Sequence, residues 1–446
     1  MVARSIVRRT EIPGPRSREL MRLKEQYVAN AKSVLAPVFI DRAEGALITD
    51  VDGNTFIDLA GGFGVMNVGY SQPAVVEAIC RQAQRFTHTD FSVVPYEPYV
   101  RLAQRLAGLV PISGPVKAVF FNSGAEAVEN AIKIAKHHTG RRAVIAFEGA
   151  FHGRTWMALT LTHKAKPYKA GLGPFVPEVY RAPYPYPYRA PAGMTAEEVG
   201  EWAYRQLERM LEVTVAPEDV AAIIVEPVQG EGGFVVPPAN FLQRVRELCT
   251  RHGIVLIHDE VQTGFGRTAR MFASEHFGVE PDLITVAKSI AGGMVLSGVI
   301  GRAEVVDSAR DTAVGGTYVG NPVACAAALA VLDVFEQQNL LARAEEVGRR
   351  FRARFERMQQ RFRQIGEVRG LGAMVAMELV RDPETKEPAA EEVNRIIAEC
   401  VRRGVITARA GLYGNVIRVL APLVITDDQI DEACDVLEES LAAVFG

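Results

Sequence analysis

Between residues 116 and 301, short aliphatic runs alternate with longer stretches whose apolar residues recur at helical spacing. "VKAVFF", "RAVIAF", "AAIIVEPV", "IVLIHDEV", "DLITVAK" and "SGVIG" read as strands. They lack a polar-apolar alternation, so each must be covered on both faces. "SGAEAVENAIKIAKHHTG" puts Ala127, Ala131, Ile134 and Ala135 on one helical side, with Gly140 just past its end. "NFLQRVRELCTRHG" does the same with Leu242, Val245, Leu248 and Cys249. The alternation predicts an α/β fold, a parallel sheet between two helical layers.

At 446 residues the chain is long enough for a second lobe. After about residue 330 the pattern changes to long charged helices, "VLDVFEQQNLLARAEEVGRRFRARFERMQQRF", and short strands around "GLGAMVAMEL" and "GNVIRVLAPL". That predicts a smaller α+β domain. "RAPYPYPYRAPAG", residues 181–193, cannot be sheet interior, because proline lacks the ladder donor. It reads as a packed surface loop or as a polyproline ligand. The helix after it opens on a capping box, Thr195 and Glu198.

A net charge of −3 offers no global field for nucleic acid or anionic membranes. The longest nearly apolar stretch, "ACAAALAVLDVF", is too short to span a bilayer, and "MVARSIVRRTEIPGPRSREL" has no apolar signal core. Five scattered cysteines without a CxxC fit a reducing cytosol and argue against structural zinc. A soluble, cytoplasmic protein is expected.

In such sheets ligands lie beyond the carboxyl ends of the strands. Asn122-Ser123-Gly124-Ala125 opens a helix there: a phosphate cradle, or a plain helix cap. His258, Asp259 and Glu260 look like metal ligands, but neighbouring strand residues face opposite ways. Asp259 reads instead as a buried carboxylate for a ring nitrogen. "FEGAFHGRT" adds an aromatic, Phe151, and a guanidinium, Arg154. Lys288 follows an apolar strand and precedes Ser289, Ile290, Ala291, Gly292 and Gly293. Half out of water, it is either a snorkelling strand-end lysine or a nucleophile. Cradle, carboxylate, aromatic plate and lysine together are the parts needed to hold pyridoxal phosphate, which favours covalent chemistry at Lys288.

"NSGAEAVENAIKIAK", "FHGRT", "IIVEPVQGEGGF", "DEVQTGFGRT", "AKSIAGG" and "GGTYVGNPVA" together resemble the class III (subgroup II, fold type I) aminotransferases, over almost the whole chain. The resemblance implies a large domain, residues 65–330, with a mostly parallel sheet of seven-stranded type. A smaller domain would form from the chain ends, residues 1–64 and 331–446. It implies that Lys288 binds the cofactor and shuttles the proton, that Asp259 pairs with the pyridine nitrogen, and that Gln262 lies near the phenolic oxygen. Val261 and Phe151 would sandwich the ring, Ser123, Gly124 and Ala125 would bind phosphate, and His152 and Glu226 would complete the cofactor site. Thr317 would reach the phosphate in the other subunit of a homodimer, or of a tetramer built from such dimers.

For substrates the resemblance assigns Arg154 to the distal carboxylate and Arg418 to the α-carboxylate. Glu231 would cover Arg418 when an ω-amino acid is bound, and Phe63 would be a pocket wall that is often aliphatic in the family. The implied reaction moves the amino group of an ω-amino acid, 4-aminobutyrate foremost, to 2-oxoglutarate by a ping-pong route. Other expectations are acetylornithine, ornithine or 5-aminovalerate as donor, or a racemase or aminomutase on the same fold. "AGGMVLSGV" departs from the family's more usual aromatic-proline run at that place.

Overall fold

The computed structural model describes residues 4–446; residues 1–3 of the expected N-terminal segment lie outside the described residues. The chain divides into two compact units, Ala74–Leu341 and the pair Met1–Pro73 with Ala342–Gly446.

The middle unit is built on a seven-stranded sheet. Its strands are β1 (Val116–Phe121), β2 (Ala143–Phe147), β3 (Val179–Ala182), β4 (Val220–Val225), β5 (Val255–Asp259), β6 (Leu283–Val286) and β7 (Ser297–Arg302). They lie in the order β1-β7-β6-β5-β4-β2-β3. The neighbours from β6 through β3 are all parallel, whereas β7 is antiparallel to both β6 and β1. The sheet is thus mostly parallel, as expected, and "SGVIG" is the strand that departs from the parallel series. Only residues 287–296 separate β6 from β7, less than the roughly dozen residues a parallel crossover needs.

Strands β2, β4, β5 and β6 are buried at every position, which is why their sequences do not alternate. Helix α1 (Gly124–Thr139) packs on the sheet through Ala127, Ala131, Ile134 and Ala135, beside Val144, Ile224, Ile257 and Leu283. A valine, leucine or isoleucine among these contributes roughly 1.5 to 3 kcal/mol when fully buried, and an alanine methyl less. The helix stops where Gly140 turns left-handed at φ 69°. Helix α2 (Trp156–Leu161) follows β2. Helix α3 (Ala196–Val213) starts on the expected Thr195–Glu198 capping box, and helix α4 (Ala239–His252) buries Leu242, Val245, Leu248 and Cys249.

The proline-rich stretch begins inside the sheet after all: Arg181 and Ala182 end the short edge strand β3, and Pro183 stops it. Beyond it Tyr184 is buried and its hydroxyl donates to the carbonyl of Glu226 at 3.2 Å. The segment is therefore a packed loop, not a presented polyproline ligand.

The other unit holds two four-stranded sheets. One joins 40–44, 47–50 and 55–58 to 405–406, so the two chain ends share a sheet. The second is antiparallel, with 416–419 between 374–379 and 408–410. Among the described residues no helix is long and apolar enough to cross a membrane.

Candidate active site

The carboxyl ends of β1, β2, β4, β5 and β6 converge on one place in the middle unit. Three close approaches define it. A Cβ added at Gly124, the first residue of α1, would stand 3.0 Å from Val261 Cγ1 and 3.4 Å from Ala287 Cβ. One at Gly153, whose φ is 131°, would stand 2.7 Å from Ala125 Cβ. One at Gly230 would strike the Gln262 amide oxygen. The N-terminus of α1 therefore faces Val261 and the residue before Lys288, and it leaves no room for side chains there.

Ser123 caps α1: its hydroxyl accepts from the Glu126 N–H at 3.2 Å, and the Glu126 carboxylate accepts from the N–H groups of Ser123 and Asn122. The cap reading of this segment holds. It also leaves the N–H groups of Gly124 and Ala125 at the positive end of the helix dipole.

Asp259 ends β5 and is 4% exposed. One carboxylate oxygen meets His152 Nδ1 at 2.6 Å; the other accepts from the Val261 N–H at 3.1 Å and the Thr285 hydroxyl at 3.0 Å. The flanking residues turn the other way: Ser274 Oγ lies 2.7 Å from His258 Nδ1 and donates to Glu260 at 2.7 Å. Glu260 also accepts from the N–H groups of Ala273 and Ser274. Burial pushes the His258 imidazole down to about 3, and raises the Glu260 carboxyl above the usual range. Both residues thus staple the 260–274 loop from behind, while Asp259 faces the site.

Glu226, just after β4, accepts from the Phe151 N–H at 3.0 Å and the Gly230 N–H at 3.0 Å, and so ties together the loops that carry Arg154 and Glu231. Desolvation pushes its carboxyl up to about 7, with the Asp259 charge adding and His152 opposing. Lys288 is partly buried and has a left-handed backbone, φ 47°, at the start of a short 3₁₀ turn. Non-glycine residues hold such a conformation only where their surroundings over-determine it, commonly at functional sites.

Arg154 is exposed; its guanidinium carbon lies 5.8 Å from the Phe151 ring centroid and 5.1 Å from that of Tyr168. Glu231 is partly buried and Thr317 is exposed, beside Tyr318, which is 66% exposed. In the other unit, Arg418 is 1% exposed in strand 416–419, and its guanidinium carbon lies 5.6 Å from the Phe63 ring centroid. Phe63 is left-handed, φ 62°. Its loop is held by Asp58, which accepts from the N–H groups of Ala60 and Gly61 and from the Tyr70 hydroxyl.

Sequence reasoning missed Tyr168, Thr285 and Glu129. The Glu129 carboxylate accepts from the Thr155 hydroxyl at 2.7 Å and from the N–H groups of Met157 and Ala158 at 2.9 and 3.2 Å, which caps α2 directly after Arg154. Thr285 was findable, because it stands on the strand next to Asp259 and has a hydroxyl in an otherwise apolar run.

These residues suit pyridoxal phosphate. Gln262 Oε1 and His152 Nε2 are buried without hydrogen-bond partners, so the site holds polar capacity that its own chain does not use. The helix N-terminus at Gly124 suits a phosphate, and a fixed carboxylate suits a protonated ring nitrogen.

The aminotransferase class-III family model matches residues 27–441. A probable 4-aminobutyrate aminotransferase of Bacillus subtilis (strain 168) is 49% identical, over 94% of this chain and 96% of that protein. A 5-aminovalerate aminotransferase of Pseudomonas aeruginosa is 46% identical over 94% and 97%. Among solved structures, an amine transaminase from an uncultivated Pseudomonas species in its PLP-bound form superposes with a TM-score of 0.87. It is 32% identical over 94% of this chain and 99% of that one.

Proposed function

Because the chain belongs to the class-III aminotransferases, we propose that it moves the amino group of 4-aminobutyrate to 2-oxoglutarate, giving succinate semialdehyde and glutamate. It is a pyridoxal-phosphate-dependent aminotransferase whose substrates are small amino and oxo acids. The observation that supports the site assignment most is the convergence at the strand ends: a strained lysine, a carboxylate held from three sides, and a helix N-terminus against Val261 and Ala287, beside them in the chain.

When bound, pyridoxal phosphate supplies an aldehyde for the amine and a protonated ring that withdraws electrons from the reacting carbon. Asp259 would pair with the ring nitrogen, and His152, Thr285 and the Val261 N–H hold that carboxylate in place. Lys288 Nζ would anchor the cofactor and, once released, would hold the proton taken from the amine-bearing carbon of the substrate. Gln262 would lie near the phenolic oxygen, Val261 and Phe151 would hold the ring between them, and Gly124, Ala125 and Ser123 would take the phosphate. Glu226 braces the Phe151 and Gly230 backbones. Arg154 takes the carboxylate that donor and acceptor share, while Arg418 takes the second carboxylate of the dicarboxylic partner and Glu231 neutralises it otherwise. Phe63 forms part of the substrate wall.

The cofactor domain is read as 65–330 and the assembly as a cytoplasmic homodimer with Thr317 reaching across. The five free cysteines and the exposed Thr317–Tyr318 segment support that reading. A specific observation favours 5-aminovalerate as second donor: the relatives of that name match about as well as those named for 4-aminobutyrate.

The test is a half-reaction. Loaded enzyme mixed with 4-aminobutyrate and no acceptor is expected to release succinate semialdehyde stoichiometrically, faster than N-acetylornithine or ornithine yields its product. Racemisation of an amino acid with no oxo product would overturn the assignment.

A further inference from the structure

Arg154 has no ion pair or hydrogen bond to another described residue; what it touches are two aromatic rings. Phe151 and Tyr168 stand 5.1 Å apart, centroid to centroid, at an interplanar angle of 59°, and the guanidinium sits in the corner between them. A guanidinium is planar, and aromatic contact on its face leaves the in-plane N–H groups directed outward. An exposed arginine without such contact must give up rotamer freedom when it binds a carboxylate.

The ring of Tyr168 is itself held in position. The next residue, Lys169, donates from Nζ to the carbonyl of Thr162 at 3.0 Å and lies 5.0 Å from the Phe175 ring centroid. The Val176 N–H donates to the Thr160 hydroxyl at 3.2 Å. Both anchors lie at the end of α2, the helix that begins just after Arg154. The segment carrying the ring and the segment carrying the arginine therefore share one support.

We propose that Tyr168 is a positioning residue for carboxylate recognition. Its ring holds the Arg154 guanidinium against Phe151, so that the N–H edge is already presented to the carboxylate common to both substrates. The proposal rests on the reading of Arg154 as the carboxylate-binding arginine. It assigns no chemical step to Tyr168 and places its role in the aromatic face.

The experiment compares holoenzymes of wild type, Tyr168→Phe, Tyr168→Leu and Arg154→Lys. Steady-state constants are measured for both substrates. Calorimetry gives the dissociation constant of glutarate, an unreactive dicarboxylate, and fluorescence gives the affinity for pyridoxal phosphate. Tyr168→Leu is expected to raise the glutarate dissociation constant and both KM values by about fivefold, the order of one exposed cation–π contact, with kcat changed less than about twofold. Tyr168→Phe is expected to match wild type, and cofactor affinity to stay constant throughout. Should Tyr168→Leu not fold, Tyr168→Met carries the same expectation.

Unchanged glutarate binding in the leucine variant, with Arg154→Lys weakened, would overturn the role of Tyr168 alone. A loss confined to cofactor affinity or kcat would overturn it too, leaving Tyr168 a prop for Phe151. Unchanged glutarate binding in Arg154→Lys would instead sink the reading of the arginine itself.

Discussion

Asp259 and Glu226 stand close together in the site, and their surroundings treat them differently. Asp259 is held by a hydroxyl, an imidazole and an N–H, which fix its orientation. Asp259→Ala is expected to keep bound cofactor but lose about a few hundredfold in kcat, the usual size of a preorganised electrostatic contact. A drop under about tenfold would make Asp259 structural. Glu226 is different: burial lifts its carboxyl from 4.5 to about 7. A raised folded pKa means the stabilisation of the neutral form is complete below 4.5 and is lost as pH rises through about 7. Glu226→Gln stays neutral throughout, so its stability relative to wild type should climb across that window. Urea unfolding of both cofactor-free proteins from about pH 5 to about pH 8 would show it; a gap independent of pH would refute it. Glu231 belongs to the same scale. On the proposed roles, a monocarboxylic donor bound beside an Arg418 that Glu231 does not cover would leave a desolvated charge worth roughly 3 to 5 kcal/mol. Glu231→Ser should therefore slow the 4-aminobutyrate half-reaction far more than that of glutamate. Single-turnover rates for the two donors decide the matter, and equal losses would remove Glu231 from the switch.

At the scale of elements, α2 is short and begins where Arg154 ends, so its start sets where that arginine lies. Glu129 on α1 satisfies two of its first N–H groups and the Thr155 hydroxyl. Glu129→Ala should cost about 1 kcal/mol in urea unfolding, the typical loss of a helix cap, and raise KM for both substrates. Glu129→Gln, which keeps an acceptor, should recover most of both. Long elements were legible because local and tertiary signals agree: α1 has its cap, its buried stripe and its terminal glycine in one stretch. The direction of β7 was not, because it depends on the length of a connection rather than on the strand's composition. Edge strand β3 was hidden by the prolines beside it. The charged run after residue 330 reads as long helices without marking the break between them; the chain turns at Asn339, φ 48°, between helices Pro322–Gln337 and Leu340–Arg361. Lys288 and Asp259 could be found because each stands at the end of an apolar strand. Tyr168 sits in a loop with no period, and only the fold reveals its partner.

For the whole molecule, the proposed sharing of sites between two chains makes a test by mixing possible. Lys288→Ala and Thr317→Ala should each be nearly inactive alone. If Thr317 serves the neighbouring chain, refolding them together creates hybrids with one intact site, and about a quarter of wild-type activity returns from random pairing. No recovery would mean that Thr317 serves its own chain or none. The sheet that supports these sites has another consequence, for colloidal behaviour. Strand β3 leaves one margin of the sheet unpaired, and a bare margin is a template on which a second chain can add a strand. Here that margin is four residues long, and Pro183 and Pro185 follow it at once. A foreign strand docking there would find no N–H at those positions and nothing to extend along. The prolines that obscured β3 in the sequence also keep crowded, newly made copies of this protein from growing into one another.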